Sequence, residues 1–455
     1  MGFLTRAGVV CLLAAGVLSG QSYTLREAVK QALDGYPAAK VPIEQMSAAA
    51  AAINLARTGY LPRLDLLAQA NRATTNNVFG MLLPQSGLPG ISGPVLGTNG
   101  VGSVWGSAAG MTLSWEPFDF GYRAATVRQA EAGLRRAETA AARTRFDIAR
   151  AAADAFLTLL AAQQTVIAAE AGVERSKVLL TLVEAQARAQ LRPGADASRT
   201  RAEVAAAETL YIQAQKAVEM AKASLSQFVG GDPAQISIHQ GALLASPDLA
   251  EPAPTPAPGH PLLMEHQAAV LEAQASRKLL DKSYYPKFSL VGASFGRGTG
   301  AMTDGRTLGG ISGLGPSIQN WGLGLNVTFP IFDMPALNAR KAAAGARERL
   351  ESARYEHARR DLSAALHRAR AEWEGARRVA RNTPVQLEAA RDAERQAAAR
   401  YRAGLGTLAD VADAQRLVTQ AEIDHSLAAL SVWRAMLGVA AAQGDLQPFL
   451  EQAGR

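Results

Sequence analysis

Cysteine is almost missing: Cys11 is the only one in 455 residues. An intrachain disulfide and a cysteine-based metal cluster are both excluded. Charged residues are sparse at 19% and aromatics at 6%, while apolar residues reach 48%. That balance excludes a disordered chain, which needs low hydrophobicity with high charge. Enzyme signatures are missing too. There is no Walker-type Gly-x-x-x-x-Gly-Lys and no HExxH. His357 and His367 lie ten positions apart on a helical stretch, and His266 with Glu265 has no third ligand beside it. No catalytic residue, metal or cofactor is expected. The net charge of +7 comes without a basic run or an RNA-binding motif, so nucleic acid is not an expected partner.

Long hydrophobic runs are also scarce. Residues 9–18 form one behind Arg6, followed by the small residues Ser19, Gly20 and Ser22. This pattern predicts a secretory signal peptide over 1–21, since the run is too short for a ~20-residue spanning helix. Nothing later in the chain reads as a transmembrane helix. Yet no charge occurs between Arg72 and Glu116, or between Arg306 and Asp333, and both stretches are rich in Gly and Pro. Helices are excluded there, and strands and loops at a membrane fit. The loops 73–108 and 297–318 are expected outside the cell.

What is present is a repeat. Tyr60-Leu-Pro-Arg-Leu-Asp-Leu66 resembles Tyr284-Tyr-Pro-Lys-Phe-Ser-Leu290 at an offset of 224, and Pro37 and Pro261 share that offset. Downstream, Phe118-Asp119 matches Phe332-Asp333, and Arg128 with Gly133 matches Arg340 with Gly345. A collinear set of this kind indicates an internal duplication. The expected organisation is signal peptide 1–21, first repeat 22–245, Pro-rich linker 246–260, second repeat 261–443 and a C-terminal tail 444–455. Each repeat reads as a helix, a strand pair and a long helical hairpin. The leading helices are predicted at Leu25 to Arg57 and Leu262 to Lys282, each ending before its Tyr-x-Pro.

The strands show period two. Trp321, Leu323, Leu325, Val327 and Phe329 alternate with Gly322, Gly324, Asn326 and Thr328; Ala109, Met111, Leu113 and Trp115 alternate with Gly110, Thr112, Ser114 and Glu116. One apolar face and one small or polar face suit a transmembrane β-strand. Trp115, Phe118, Trp321 and Phe332 would supply interfacial aromatics. Four strands are too few to close a barrel from one chain.

Long helices are predicted from about Tyr122 to Leu191 and from about Ala336 to Arg402, each ~100 Å at 1.5 Å per residue. Leu159, Val166, Val173 and Leu180 are spaced by seven, as are Leu366, Trp373, Ala380 and Leu387. Such a seam packs as a left-handed coiled coil. A bend is expected at Pro384. The hairpins turn at 191–196 and 401–407, where Gly194 and Gly404 can stop a helix and Thr407 can cap the next one.

With those residues in view, the chain resembles the TolC family of outer-membrane efflux proteins. The resemblance is carried by Thr24-Leu-Arg-Glu-Ala-Val29, Tyr36-Pro37, Tyr60-Leu-Pro62 and Tyr401-Arg-Ala-Gly-Leu-Gly-Thr-Leu-Ala-Asp-Val411, in order within the duplicated plan. It implies a mainly α fold with a small β part: an α-helical barrel of coiled-coil hairpins continuing into a trimeric, twelve-stranded β-barrel, four strands per chain. The implied work is that of an outer-membrane exit duct in a tripartite efflux or type I secretion system, with its helical barrel in the periplasm. The implied partners are two further copies, a periplasmic adaptor, an inner-membrane transporter and outer-membrane lipid. A periplasmic gate at Asp410 and Asp413 is implied, and an adaptor-docking tip at Gly194, Ala403, Gly404, Leu405 and Thr407. The competing reading is a soluble periplasmic coiled-coil adaptor or spacer, which would have one helical hairpin and no belted strands.

Overall fold

A computed structural model describes residues 22–74, 102–190, 194–245, 257, 259–302, 306–329 and 331–454. The predicted signal peptide and most of the first charge-free loop lie outside them. The order of elements is β1 (Ser22–Tyr23), α1 (Leu25–Gly35), α2 (Pro37–Thr58), β2 (Arg63–Thr74), β3 (Ser103–Phe118), α3 (Tyr122–Arg188) and α4 (Gly194–Val229). Then follow β4 (Ser237–Ile238), α5 (Pro261–Lys282), β5 (Lys287–Thr299), β6 (Ile318–Thr328), α6 (Met334–Arg402), α7 (Leu408–Gln443) and α8 (Gln447–Ala453). The chain divides into two compact units that cut across the repeats. One gathers the described residues of 1–41, 142–261 and 359–455; the other gathers those of 42–141 and 262–358.

The second of these units holds a four-stranded antiparallel sheet in the order β2-β3-β5-β6. Its register sorts the side chains. Leu64 stands opposite Leu113, and Leu66 opposite Met111. Trp115 stands opposite Leu290, which in turn faces Leu325. One face therefore carries Leu64, Leu66, Met111, Leu113, Trp115, Leu290, Leu323 and Leu325. The alternate face carries Asp65 with Thr112, Arg63 with Ser114, and Ser289 with Asn326. The register slips between Trp115 and Phe118, and this bulge brings Phe118 opposite Phe288 on the apolar face. Among the described residues of one chain, β2 and β6 each keep an open edge.

One expectation about helices needed correction. The first leading helix is not continuous from Leu25 to Arg57. Tyr36 is extended, with φ −69° and ψ 124°, and Pro37 opens a new helix. Proline disfavours α geometry in the residue before it and suits the first helical position. The repeat thereby becomes clearer: α2 and α5 each begin at the matched prolines and each run 22 residues. Helices α3 and α7 each contain an 18-residue stretch apolar enough to cross a membrane by length and composition, with 50% and 56% of it buried inside the protein. In α3 that apolar surface serves the core of the helical unit, where Phe156, Leu157, Leu159 and Leu160 are fully buried.

That core explains most of the helical unit. On α6 the buried and half-buried positions run Leu362, Leu366, Ala369, Trp373, Ala376, Ala380, Thr383, Leu387 and Ala390. The steps alternate four and three, which is the heptad seam. Leu159 and Val173 of the matching seam on α3 are buried, and Val166 and Leu180 half-buried. Helix α6 runs on through Pro384. Buried Thr383 turns its hydroxyl to the Ala380 carbonyl at 3.4 Å, the acceptor that Pro384 leaves without an N–H. The expected C-terminal tail is the packed helix α8, whose Phe449 meets Trp433 edge-on at 6.2 Å. Trp433 donates its indole N–H to Ala245 O at 2.9 Å.

Candidate functional site

The apolar face of the sheet is exposed in a single chain. Trp321 is 79% and Phe332 96% exposed, with Leu66, Leu323, Leu325 and Val327 also open. Such a continuous apolar face marks a surface that meets lipid or another chain. The four belt residues fall at two levels. Trp115, Phe118 and Phe332 sit where the strands meet α3 and α6, and Trp321 sits toward the far end of β6. From Trp321 to Phe329 along this strand is roughly 26 Å at 3.3 Å per residue, close to the ~25 Å apolar band of outer-membrane barrels. Trp115 is anchored by its indole N–H on Tyr60 O at 3.0 Å. Phe118 joins an aromatic cluster that sequence reasoning missed. Phe120 lies 4.6 Å from it edge-on, and Tyr285 stacks on Phe120 at 5.3 Å. Phe288, on the same face of β5 as Leu290, completes that cluster at 6.1 Å from Phe118.

The junction from strand to helix is held by a buried pair. Asp119 accepts from the Gly121 N–H at 3.0 Å, the Arg123 N–H at 2.7 Å and the Arg123 Nε at 2.8 Å. Arg123 reaches on to Gly59 O at 3.2 Å and lies over the Tyr60 ring at 4.9 Å. Burial by itself would push the Asp119 carboxyl up. The hydrogen bonds from Arg123 and Gly121, with the guanidinium charge, outweigh it and hold the group below its ordinary value. The repeat keeps part of this arrangement: Lys341 stands over the Tyr284 ring at 5.7 Å.

At the other candidate site, the tip of the α6–α7 hairpin, the turn is made by a recognisable stop signal. The Gly404 N–H bonds Tyr401 O and the Leu405 N–H bonds Arg400 O. With φ +74° at Gly404, this is a Schellman ending that a side chain would strain. Ala403, Gly404, Leu405 and Thr407 are exposed there, Leu405 at 74%. Thr407 caps α7 as expected: the Asp410 N–H bonds its Oγ1 at 3.2 Å, and its own N–H bonds the Asp410 carboxylate at 3.0 Å. This capping box is the main reason the Asp410 carboxyl is held below its usual value, with Arg400 adding a smaller pull. Asp413 is ion-paired with Arg416, which also reaches Glu203 of α4 at 3.7 Å. Both aspartates are exposed, while Leu408 and Val411 beside them are buried with Leu179, Val183, Ala197 and Tyr401.

Gly194 behaves differently from the expectation. It opens α4 rather than stopping α3. Helix α3 ends at Arg188, and Gln190 takes the left-handed conformation at φ 57°. Among the described residues, no three His, Cys, Asp or Glu side chains gather as metal ligands.

Comparison with known proteins agrees with this geometry. A family model described as outer membrane efflux protein matches residues 28–231 and 258–445. Protein CyaE of Bordetella pertussis is 28% identical over 427 residues, covering 93% of this chain and 84% of that one. The fold is similar to the CmeC outer membrane channel of Campylobacter jejuni, with a TM-score of 0.75 at 17% identity over 98% of this chain and 94% of that one. It is also similar to the outer membrane protein VceC of Vibrio cholerae, at 0.73 and 17%, over 92% and 96%.

Proposed function

The chain belongs to the outer membrane efflux protein family, and from that premise we propose that three copies close a single duct carrying cargo from the periplasm to the exterior. It is an outer-membrane channel protein with a TolC-like fold, and its family is a family of channels and not of enzymes. The observation that carries the trimer is the sheet. Four strands present an apolar face for lipid and a polar face for a lumen, but leave β2 and β6 open. Open edges are not tolerated in a bilayer, and three copies would close a twelve-stranded barrel.

The exposed Schellman turn with Leu405, together with Ala403, Gly404 and Thr407, supports a docking tip for a periplasmic adaptor. Gly194, at the start of α4, would flank it. The adaptor would couple the duct to an inner-membrane transporter, in a tripartite efflux or type I secretion system. Asp410 and Asp413 would line the periplasmic opening. Because Asp413 shares Arg416 with Glu203, Asp410 would supply the less compensated ring of charge. Purified protein added to a planar bilayer tests the reading: it should give stepwise, long-lived ionic conductance. A preparation that assembles normally and conducts nothing would overturn it.

A further inference from the structure

We propose that the far rim of the sheet binds the phosphate of an outer-leaflet lipid headgroup, through Arg72 and Trp105. The inference rests on the outer-membrane placement and goes beyond transport. It begins with register. On β2 the apolar row is Leu64, Leu66, Ala68 and Ala70, opposite Leu113, Met111, Ala109 and Ser107. The next member of that row is Arg72, opposite Trp105. The strand charges Arg63, Asp65, Lys287 and Arg297 pair with Ser114, Thr112, Thr328 and Ala108, on the alternate face. Glu116 falls within the bulge. Among the described strand residues outside that bulge, Arg72 is thus the charge that faces the lipid side.

Its level matters as much as its face. Eight residues separate Leu64 from Arg72, roughly 26 Å along the strand. That distance reaches from the helix end of the apolar band to its opposite border, where a cation can meet headgroups instead of acyl chains. The guanidinium is also oriented. Its Nε donates to Ser103 Oγ at 3.0 Å, and its Cζ lies 5.7 Å from the centre of the Trp105 ring. Among the described residues the two terminal nitrogens have no hydrogen bond, so they remain as a planar pair of donors. That geometry fits two phosphate oxygens at once. Ala70 and Ala68, with Ala109 opposite, are the next exposed apolar positions of that face inward from Arg72, and they offer the surface on which the same lipid's acyl chains would lie. A free phosphate would have no use for that surface.

The test uses the full-length protein in a zwitterionic detergent, with bis-phosphorylated lipid A or the same glycolipid stripped of its phosphates. Native mass spectrometry counts the lipid retained per particle. The unmodified protein should retain the phosphorylated form roughly tenfold better, the discrimination expected of one charge-assisted pair. Arg72→Gln should bring it down to the level of the dephosphorylated form, and Arg72→Lys should fall between. Millimolar inorganic phosphate should displace little; complete displacement would show a bare anion site and overturn the lipid assignment. Equal retention of both lipids by the unmodified protein would refute the proposal without recourse to any variant. So would equal retention of the phosphorylated form by the unmodified protein and Arg72→Gln, which is what a guanidinium merely reaching for interfacial water predicts.

Discussion

At the scale of single residues, two carboxylates do different work through similar hydrogen bonds. Asp119 is buried with Arg123, so Asp119→Asn would leave a guanidinium enclosed without its counter-charge. Breaking a buried pair in this way costs about 3–5 kcal/mol, and chemical denaturation of the assembled protein should show a loss of that order. The pH dependence follows from the direction of the shift. A carboxyl held below its ordinary value stabilises the fold above the unfolded value near 4, and that stability fades as pH falls through the lower, folded value. Asp410 is also held low, but it is exposed and belongs to a helix cap. Asparagine can still accept from the Thr407 N–H, so Asp410→Asn removes charge while sparing the cap. Single-channel recordings should show reduced cation selectivity and weaker divalent block, with a smaller change for Asp413→Asn because Arg416 already neutralises that position. Selectivity and divalent block identical to the parent in both variants would remove the aspartates from the gate.

At the scale of elements, the legibility of the sequence follows the range of the forces involved. Strand alternation and the heptad of α6 are local periodicities, and they stand in the structure where the pattern puts them. Capping at Thr407 and the glycine stop at Gly404 are equally local. The break at Tyr36 was legible too, because Pro37 and Pro261 occupy one position of the repeat, and the position is the first of a helix in both copies. Other features had no local signature. The two-residue strands β1 and β4 pair across more than 200 positions, too short for any periodicity to register. The Asp119–Arg123 pair has helical i,i+4 spacing, yet its burial depends on Gly59 and Tyr60. The packing of α8 reads as tail because seven residues with one Pro carry little amphipathic signal. A helix prediction belongs here. Pro384 costs α6 a hydrogen bond that Thr383 only partly replaces, and proline inside a helix stands about 3 kcal/mol below alanine. Pro384→Ala should therefore raise the thermal midpoint while leaving assembly intact. Leu366→Ala, at a position 2% exposed, should lower stability by about 2–5 kcal/mol. A destabilised Pro384→Ala would mean that α7 is packed to suit the proline.

At the scale of the whole molecule, function follows from what one chain leaves undone. Among the described residues, the sheet has a lipid-suited face and two edges without partners, and the α6–α7 hairpin ends in an exposed turn. Orientation can be read directly: an epitope inserted after Gly310, in the turn between β5 and β6, should be labelled on intact cells. Labelling only after permeabilisation would reverse the placement of the far rim. The central claim, that three copies build one duct, is tested most directly by the mass of the detergent-solubilised particle. Native mass spectrometry of the mature protein should give a single species of three chains, which dissociates only when the strands melt. A homogeneous one-chain particle with its sheet intact would contradict the account.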